Sequence, residues 1–68
     1  MSIAAAIKVL MMTKGETLKQ LAEVTGIPYG VLSMKLQGRR NIKLAELQKI
    51  LKHYRVTPEQ LYMIFFED

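Results

Sequence analysis

The chain contains no cysteine, and it has few prolines and glycines: two and four, respectively, among 68 residues. Without cysteine, a disulfide framework and a thiolate metal site are both excluded. The absence of disulfides fits a cytoplasmic protein, which is the location that we expect. A chain this short holds one domain, here residues 1–68, and a core of this size rarely supplies more than about 3–5 kcal/mol.

Long hydrophobic runs are also missing. No apolar stretch reaches the ~20 residues that a membrane-spanning helix needs. The apolar segment 1–12 has neither a basic beginning nor a following cleavage site, so it does not fit a secretory signal peptide. We therefore expect no membrane partner.

Side chains for catalysis and metal binding are sparse. His53 is the only histidine, and no pattern pairs the six acidic residues with a nucleophile. An active site needs such a constellation around its substrate. We therefore predict that the protein is not an enzyme, takes no small-molecule substrate, needs no cofactor and holds no metal. His53 is interpreted as an ordinary helix residue.

Positive charge is what the chain has in excess, and it is unevenly distributed. The formal net charge is +4. Residues 1–34 carry +1, residues 35–55 carry +6 and residues 56–68 carry −3. A basic patch of this kind suits a polyanion such as nucleic acid, although a solvated lysine and arginine face without a partner fits the charge equally well.

The hydrophobic pattern predicts an all-α fold. Apolar residues recur with the 3.6-residue period of helices, and no segment alternates with a period of two. Two capping boxes, Thr17 with Gln20 and Thr57 with Gln60, mark helix starts, and glycines mark helix ends. The five predicted helices cover about residues 2–14, 17–26, 28–38, 44–54 and 58–66.

The apolar stripe of each helix predicts the core. The expected core positions are Ile3, Ile7, Leu10 and Met11 in the first helix, Leu18, Leu21, Ala22 and either Val24 or Thr25 in the second, Leu32 and Leu36 in the third, and Leu44, Leu47, Ile50 and Leu51 in the fourth. Because the first helix is apolar nearly all round, we expect it to be buried on more than one side.

Residues 17–37 predict a helix-turn-helix. Two helices that cross at a steep angle need a small side chain at the crossing, which Ala22 supplies, and a turn residue that tolerates positive φ, which is Gly26. Ile27 and Leu32 then anchor the third helix against the second. The outward face of the third helix is left with Tyr29, Gly30, Ser33, Met34 and Gln37. In a helix-turn-helix, such positions reach base edges in the major groove of DNA.

With these residues the chain resembles the Cro/repressor-type (lambda-repressor-like) helix-turn-helix family of phage and bacterial transcription regulators. The resemblance covers about residues 3–65. It rests on Thr17, Leu21-Ala22, Gly26-Ile27, Leu32-Ser33, Leu36, Gly38-Arg39, the stripe from Leu44 to Leu51, and Val56-Thr57-Pro58. It implies a compact five-helix domain that binds double-stranded DNA as a dimer, with the third helix in the major groove.

The resemblance further implies that the N-terminal ends of helices 2 and 4, and the loop after helix 3, contact phosphates. Helix N-termini favour anions because their free N–H groups and the helix dipole are positive. The expected phosphate contacts are Thr17, Lys19, Lys35, Arg39, Arg40, Asn41 and Lys43.

The last helix carries more apolar side chains than a core of this size needs. We therefore expect Leu61, Tyr62, Phe65 and Phe66 at the interface of a homodimer, or of a heterodimer with another regulator. The alternative is that this segment folds back onto the first helix and completes the core of the monomer.

Two functions remain open from the sequence. The first is a sequence-specific regulator, such as a phage or mobile-element repressor that occupies an operator. The second is an anti-repressor, which binds another regulator and changes its DNA binding. The second arises because the outward face of the third helix lacks arginine, asparagine and a glutamine near its start. These side chains discriminate bases by paired hydrogen bonds.

Overall fold

The computed structural model describes residues 2–66, apart from the side chains of residues 58 and 64–66. Within this part of the chain there are five α-helices and no strand, so the predicted all-α class is confirmed. The helices are α1 (Ile3–Lys14), α2 (Leu18–Thr25), α3 (Tyr29–Leu36), α4 (Leu44–Tyr54) and α5 (Pro58–Phe66). They form a body of 29 × 22 × 21 Å. None of them, as far as the chain is described, is long and apolar enough to cross a membrane.

The predicted caps set the helix starts. The Thr17 hydroxyl accepts the Gln20 N–H at 3.1 Å, and the Gln20 side chain accepts the Thr17 N–H at 2.8 Å. Thr57 and Gln60 make the same two hydrogen bonds at the start of α5. Each box satisfies two backbone donors that a helix start otherwise leaves unpaired. Both capping boxes are therefore confirmed.

The turn between α2 and α3 depends on Gly26. Its backbone adopts φ 74° and ψ 9°, the left-handed conformation that a side chain disfavours, and its N–H donates to the Ala22 carbonyl. Ile27 follows and is buried in the core. The chain therefore turns sharply enough for α3 to pack against α2.

The core lies where α2 contacts both α3 and α4, and where α1 contacts α3. Ile7, Leu21, Leu32 and Ile50 have essentially no exposed surface. The buried apolar cluster is completed by Leu10, Ala22, Ile27, Leu36 and Tyr54. Apart from Tyr54, which was not expected in the core, these positions agree with the prediction, and Leu32 and Leu36 hold α3 by one face.

Some expected core positions lie at the surface instead. Leu44 is 70% exposed, because α4 packs through Leu47 and Ile50, one turn or more further along the helix. Ile3 is also exposed. The sequence predicted that either Val24 or Thr25 of α2 lies in the core. Thr25 is buried, and Val24 is exposed.

The expectation that α1 is buried on more than one side is wrong. Ala6, Ile7 and Leu10 form its buried face. Val9 is exposed, and Met12 is 81% exposed. The contacts of α1 with α3 and α5 therefore leave part of its apolar surface open to solvent.

Candidate nucleic-acid interface

One face of α3 is open to solvent along its whole length. Leu32 and Leu36 point into the core, while Tyr29 is 56% exposed and Met34 is 38% exposed. Gly30 and Gln37 are also exposed, and Ser33 is half-buried. The structure therefore places all five predicted base-reading residues on one accessible surface, which we call the α3 face (Tyr29, Gly30, Ser33, Met34 and Gln37).

The α3 face has apolar edges and a polar centre. A helix turns by about 100° per residue, so these five positions span an arc of about 140°, with Tyr29 at one edge and Met34 at the other. Between them, the Gln37 side-chain amide donates to the Ser33 hydroxyl at 3.0 Å. This hydrogen bond orients the Gln37 amide group on the surface.

A basic loop begins at the end of α3. The Arg39 N–H donates to the Met34 carbonyl at 2.9 Å, which ties the start of the loop to the last turn of α3. Arg39, Arg40, Asn41 and Lys43 are all exposed. Three cations therefore follow the α3 face along the chain, and their side chains are accessible to an anion.

Lys35 departs from the expected phosphate contacts. Its side chain is only 3% exposed, and its ammonium group forms an ion pair with Glu46 of α4, 2.6 Å from Oε2. A phosphate could bind this group only if the ion pair opened, which would leave the Glu46 carboxylate without its counter-ion in a largely desolvated site. We therefore leave Lys35 out of the interface.

The N-terminus of α4 is occupied by the same carboxylate. Glu46 accepts the Lys43 N–H at 2.8 Å. Hydrogen bonds from Lys35 and from the Lys43 backbone lower the pKa of Glu46, so it is ionised at neutral pH. This negative charge offsets the positive end of the helix dipole, and α4 is less suited to phosphate than the resemblance implied. The sequence carries a signal for this occupied helix end, because the glutamate lies three residues after the helix cap, at a position that favours a capping carboxylate.

The N-terminus of α2 carries no such carboxylate in its first turn. Thr17 and Lys19 are both exposed there. The Thr17 oxygen accepts from Gln20, which leaves its hydroxyl hydrogen free to donate to a phosphate. The two expected contacts at this helix end are thus accessible together.

Residues 6–67 match the family described as the Cro/C1-type HTH DNA-binding domain. The chain belongs to this family. It is therefore a helix-turn-helix domain that binds double-stranded DNA in transcription regulation, as the sequence predicts, and the family is typically non-enzymatic. No curated protein and no solved structure shows significant similarity to the chain.

The last helix of this Cro/C1-type domain packs on α1 and still exposes apolar surface. Leu61 is half-buried, whereas Tyr62 and its neighbour Met63 are exposed. The side chains of Phe65 and Phe66, which were also expected at an interface, lie outside the described residues. Both ideas from the sequence, packing on the first helix and a surface for association, are compatible with this arrangement.

A second polar cluster, which sequence reasoning missed, lies at the start of α2. Glu16 accepts hydrogen bonds from the Tyr54 hydroxyl at 2.5 Å and from His53 Nε2 at 2.8 Å. His53 is therefore an interaction partner of Glu16 and not simply a residue on the helix surface. The cluster ties the loop before α2 to the C-terminal end of α4 and helps to fix the helix-turn-helix.

The ionisation of the cluster follows from its contacts. Burial raises the pKa of Glu16, but the hydrogen bonds from Tyr54 and His53 outweigh it, and the pKa lies below its ordinary value. Burial and the hydrogen bond to Glu16 raise the pKa of Tyr54.

Among the described residues, no group of three or more histidine and acidic side chains is placed to hold a metal ion.

Proposed function

We propose that this Cro/C1-type domain is a sequence-specific transcriptional regulator, a repressor of the kind found in phages and mobile elements, and that it acts as a dimer on an operator. The observation that carries the proposal is the accessible α3 face with the basic loop at its end. In this arrangement α3 enters the major groove, and the loop binds the phosphates that flank it. Because the target is DNA, the domain acts in the cytoplasm, at the nucleoid.

The phosphate contacts come from two sides of α3. Thr17 and Lys19 lie at the start of α2, and Arg39, Arg40, Asn41 and Lys43 lie in the loop after α3. Contacts on both sides fix the orientation of the helix in the groove but carry no sequence information. Each neutralised phosphate releases counterions, so the affinity should fall steeply as salt increases.

The dimer supplies the second half-site. Tyr62 and Met63 are exposed on α5, and aromatic residues and methionine are enriched in the centres of interfaces. A dimer formed through α5 presents two α3 faces, which suits an operator with two half-sites about one helical turn apart. Occupancy of such a site blocks transcription that starts there.

The test is binding to short duplexes with a randomised centre, enriched over several rounds and then titrated by fluorescence anisotropy. We expect an enriched sequence with two related half-sites, a preference over a shuffled duplex of equal composition, and weaker binding as salt increases. Sedimentation of the protein with and without the duplex gives the stoichiometry. Equal binding to the enriched and shuffled duplexes would disprove the sequence-specific function.

The second candidate, an anti-repressor, is favoured by one observation. Val24 of α2 is 56% exposed, and Tyr29 and Met34 are exposed on the α3 face, so both helices of the helix-turn-helix present apolar side chains to solvent. A partner regulator that used this surface would compete with DNA. Co-purification with a regulator encoded in a neighbouring gene, lost on Met34→Ala, would support this function, and its absence would reject it.

A further inference from the structure

We propose that the α3 face reads A·T base pairs: Tyr29 and Met34 contact thymine methyl groups, and Gln37 binds adenine. This inference rests on the proposed function and names the DNA sequence class that the same site selects. It follows from which side chains are exposed on α3 and which are already engaged.

Guanine recognition is disfavoured by the ion pair inside the fold. Guanine is read most often by arginine or lysine, which donates to its O6 and N7 atoms. The only cation in α3 is Lys35, and its side chain is 3% exposed and paired with Glu46. The α3 face itself therefore presents no cation to the groove.

The apolar edges match the one apolar group that the major groove offers. Each thymine places a C5-methyl group there, and apolar side chains contact it. Tyr29 and Met34 are exposed, and they lie on opposite edges of the face. They can therefore contact methyl groups at two separate positions of one half-site.

The polar centre matches adenine. An adenine presents N7 as acceptor and N6 as donor, which a glutamine amide pairs with two hydrogen bonds. Gln37 uses one amide hydrogen to reach Ser33, and its second amide hydrogen and its Oε1 atom are not engaged by the described residues. Those are the two groups that adenine requires, and the bond to Ser33 orients them before DNA binds.

The experiment removes single methyl groups from the enriched duplex. Each thymine is replaced in turn by deoxyuridine, which keeps the base pair and removes only the methyl. We expect at least two positions in each half-site where affinity falls about fourfold, the value for losing one buried methyl group. At one set of positions this loss should disappear in Met34→Ala, and at another in Tyr29→Ala.

Met12→Ala is the matched control, since Met12 is an exposed methionine on α1. It should retain the full difference between thymine and deoxyuridine. Circular dichroism checks that all three variants are folded, which their surface positions favour.

The inference fails if every deoxyuridine substitution changes the affinity by less than about twofold, or if 7-deazaguanine, which lacks the N7 acceptor, causes the main losses. Either result leaves a sequence-specific regulator intact and overturns only the A·T assignment. If no duplex is preferred at all, the proposed function fails, and this inference fails with it.

Discussion

The ammonium group of Lys35 lies 2.6 Å from Glu46 Oε2 and joins α3 to the first turn of α4. Their side chains are 3% and 18% exposed, so both charges are largely removed from water. Glu46 also accepts the Lys43 N–H, which places one carboxylate against α3 and the basic loop at the same time. Lys35 therefore points away from the α3 face, and its ion pair fixes the relative position of α3 and the loop.

Replacing Glu46 by glutamine should leave the Lys35 charge buried without its counter-ion. We expect the free energy of unfolding to fall by about 1–3 kcal/mol, a large part of the stability of so small a domain. Urea denaturation followed by circular dichroism measures it. The control is Lys35→Met with Glu46→Leu, which removes both charges and should be more stable than the single variant. A single variant as stable as the wild type would contradict the role given to the ion pair.

Acid should destabilise the protein through Glu16. Its folded pKa lies below the ordinary value of 4.5, so its contribution is complete above that pH and is lost as the pH falls through the folded pKa. We expect Glu16→Gln to be less stable than the wild type at neutral pH, and the difference to shrink from about pH 5 to about pH 2. Urea denaturation at several pH values measures this. If the stability difference between the wild type and Glu16→Gln grew as the pH fell, the role given to Glu16 would be wrong.

Gly30 should separate stability from DNA binding. A Cβ at this position would meet no atom within 4 Å, and the φ of Gly30 is not in the left-handed region. Gly30→Ala should therefore raise the free energy of unfolding by about 0.4–1 kcal/mol by restricting the unfolded chain. It should weaken DNA binding, since the added methyl group stands on the α3 face between Tyr29 and Met34. Thermal unfolding and anisotropy titration measure the two effects.

Gly26→Ala is the comparison for Gly30. Its φ of 74° is strained for alanine, so this change should lower stability where Gly30→Ala raises it. If Gly30→Ala bound DNA as tightly as the wild type, the prediction that DNA contacts α3 at Gly30 would be rejected.

Removing the two arginines of the basic loop should change the salt dependence of DNA binding. Arg39→Ala with Arg40→Ala should reduce the slope of log affinity against log salt by about 0.9 for each phosphate that the protein no longer neutralises. It should lower the affinity for every duplex by the same factor, because phosphate contacts carry no base information. Lys49→Ala with Lys52→Ala on the exposed side of α4 removes the same charge and should leave the slope nearly unchanged. Equal slopes for the two double variants would place the phosphates elsewhere.

Arg55 should be a site where glycine stabilises the fold. It ends α4 with φ 55° and ψ 41°, and it is the one non-glycine residue with positive φ in the described part of the chain. The left-handed conformation costs a residue with a side chain about 1–2 kcal/mol, so Arg55→Gly should raise the melting temperature. Lys52→Gly, inside the same helix, should lower it, since glycine costs about 1 kcal/mol there. If Arg55→Gly lowered the melting temperature and Lys52→Gly raised it, the strain at Arg55 would be refuted.

Local signals made most of the fold predictable. Thr17 and Thr57 begin helices through partners three residues away, and Gly26 permits a turn that few other residues tolerate. The α3 face was also predictable, because the positions opposite Leu32 and Leu36 have to point outward once those two are buried. The surface position of Leu44 could not be predicted, since an apolar stripe does not reveal where the neighbouring helix ends.

The sequence by itself determined where the helices lie, which face of α3 is open and where the positive charge is concentrated, because each depends on residues within a few positions of one another. Only the tertiary structure decided how the charged side chains are used. Lys35 finds its partner 11 residues away and His53 finds Glu16 37 residues away, and these distances close only when the helices pack. The resulting burial turns Lys35 from an expected phosphate ligand into an internal ion pair. Tyr29, Met34 and the amide of Gln37 are left on the α3 face, where we propose that they meet DNA.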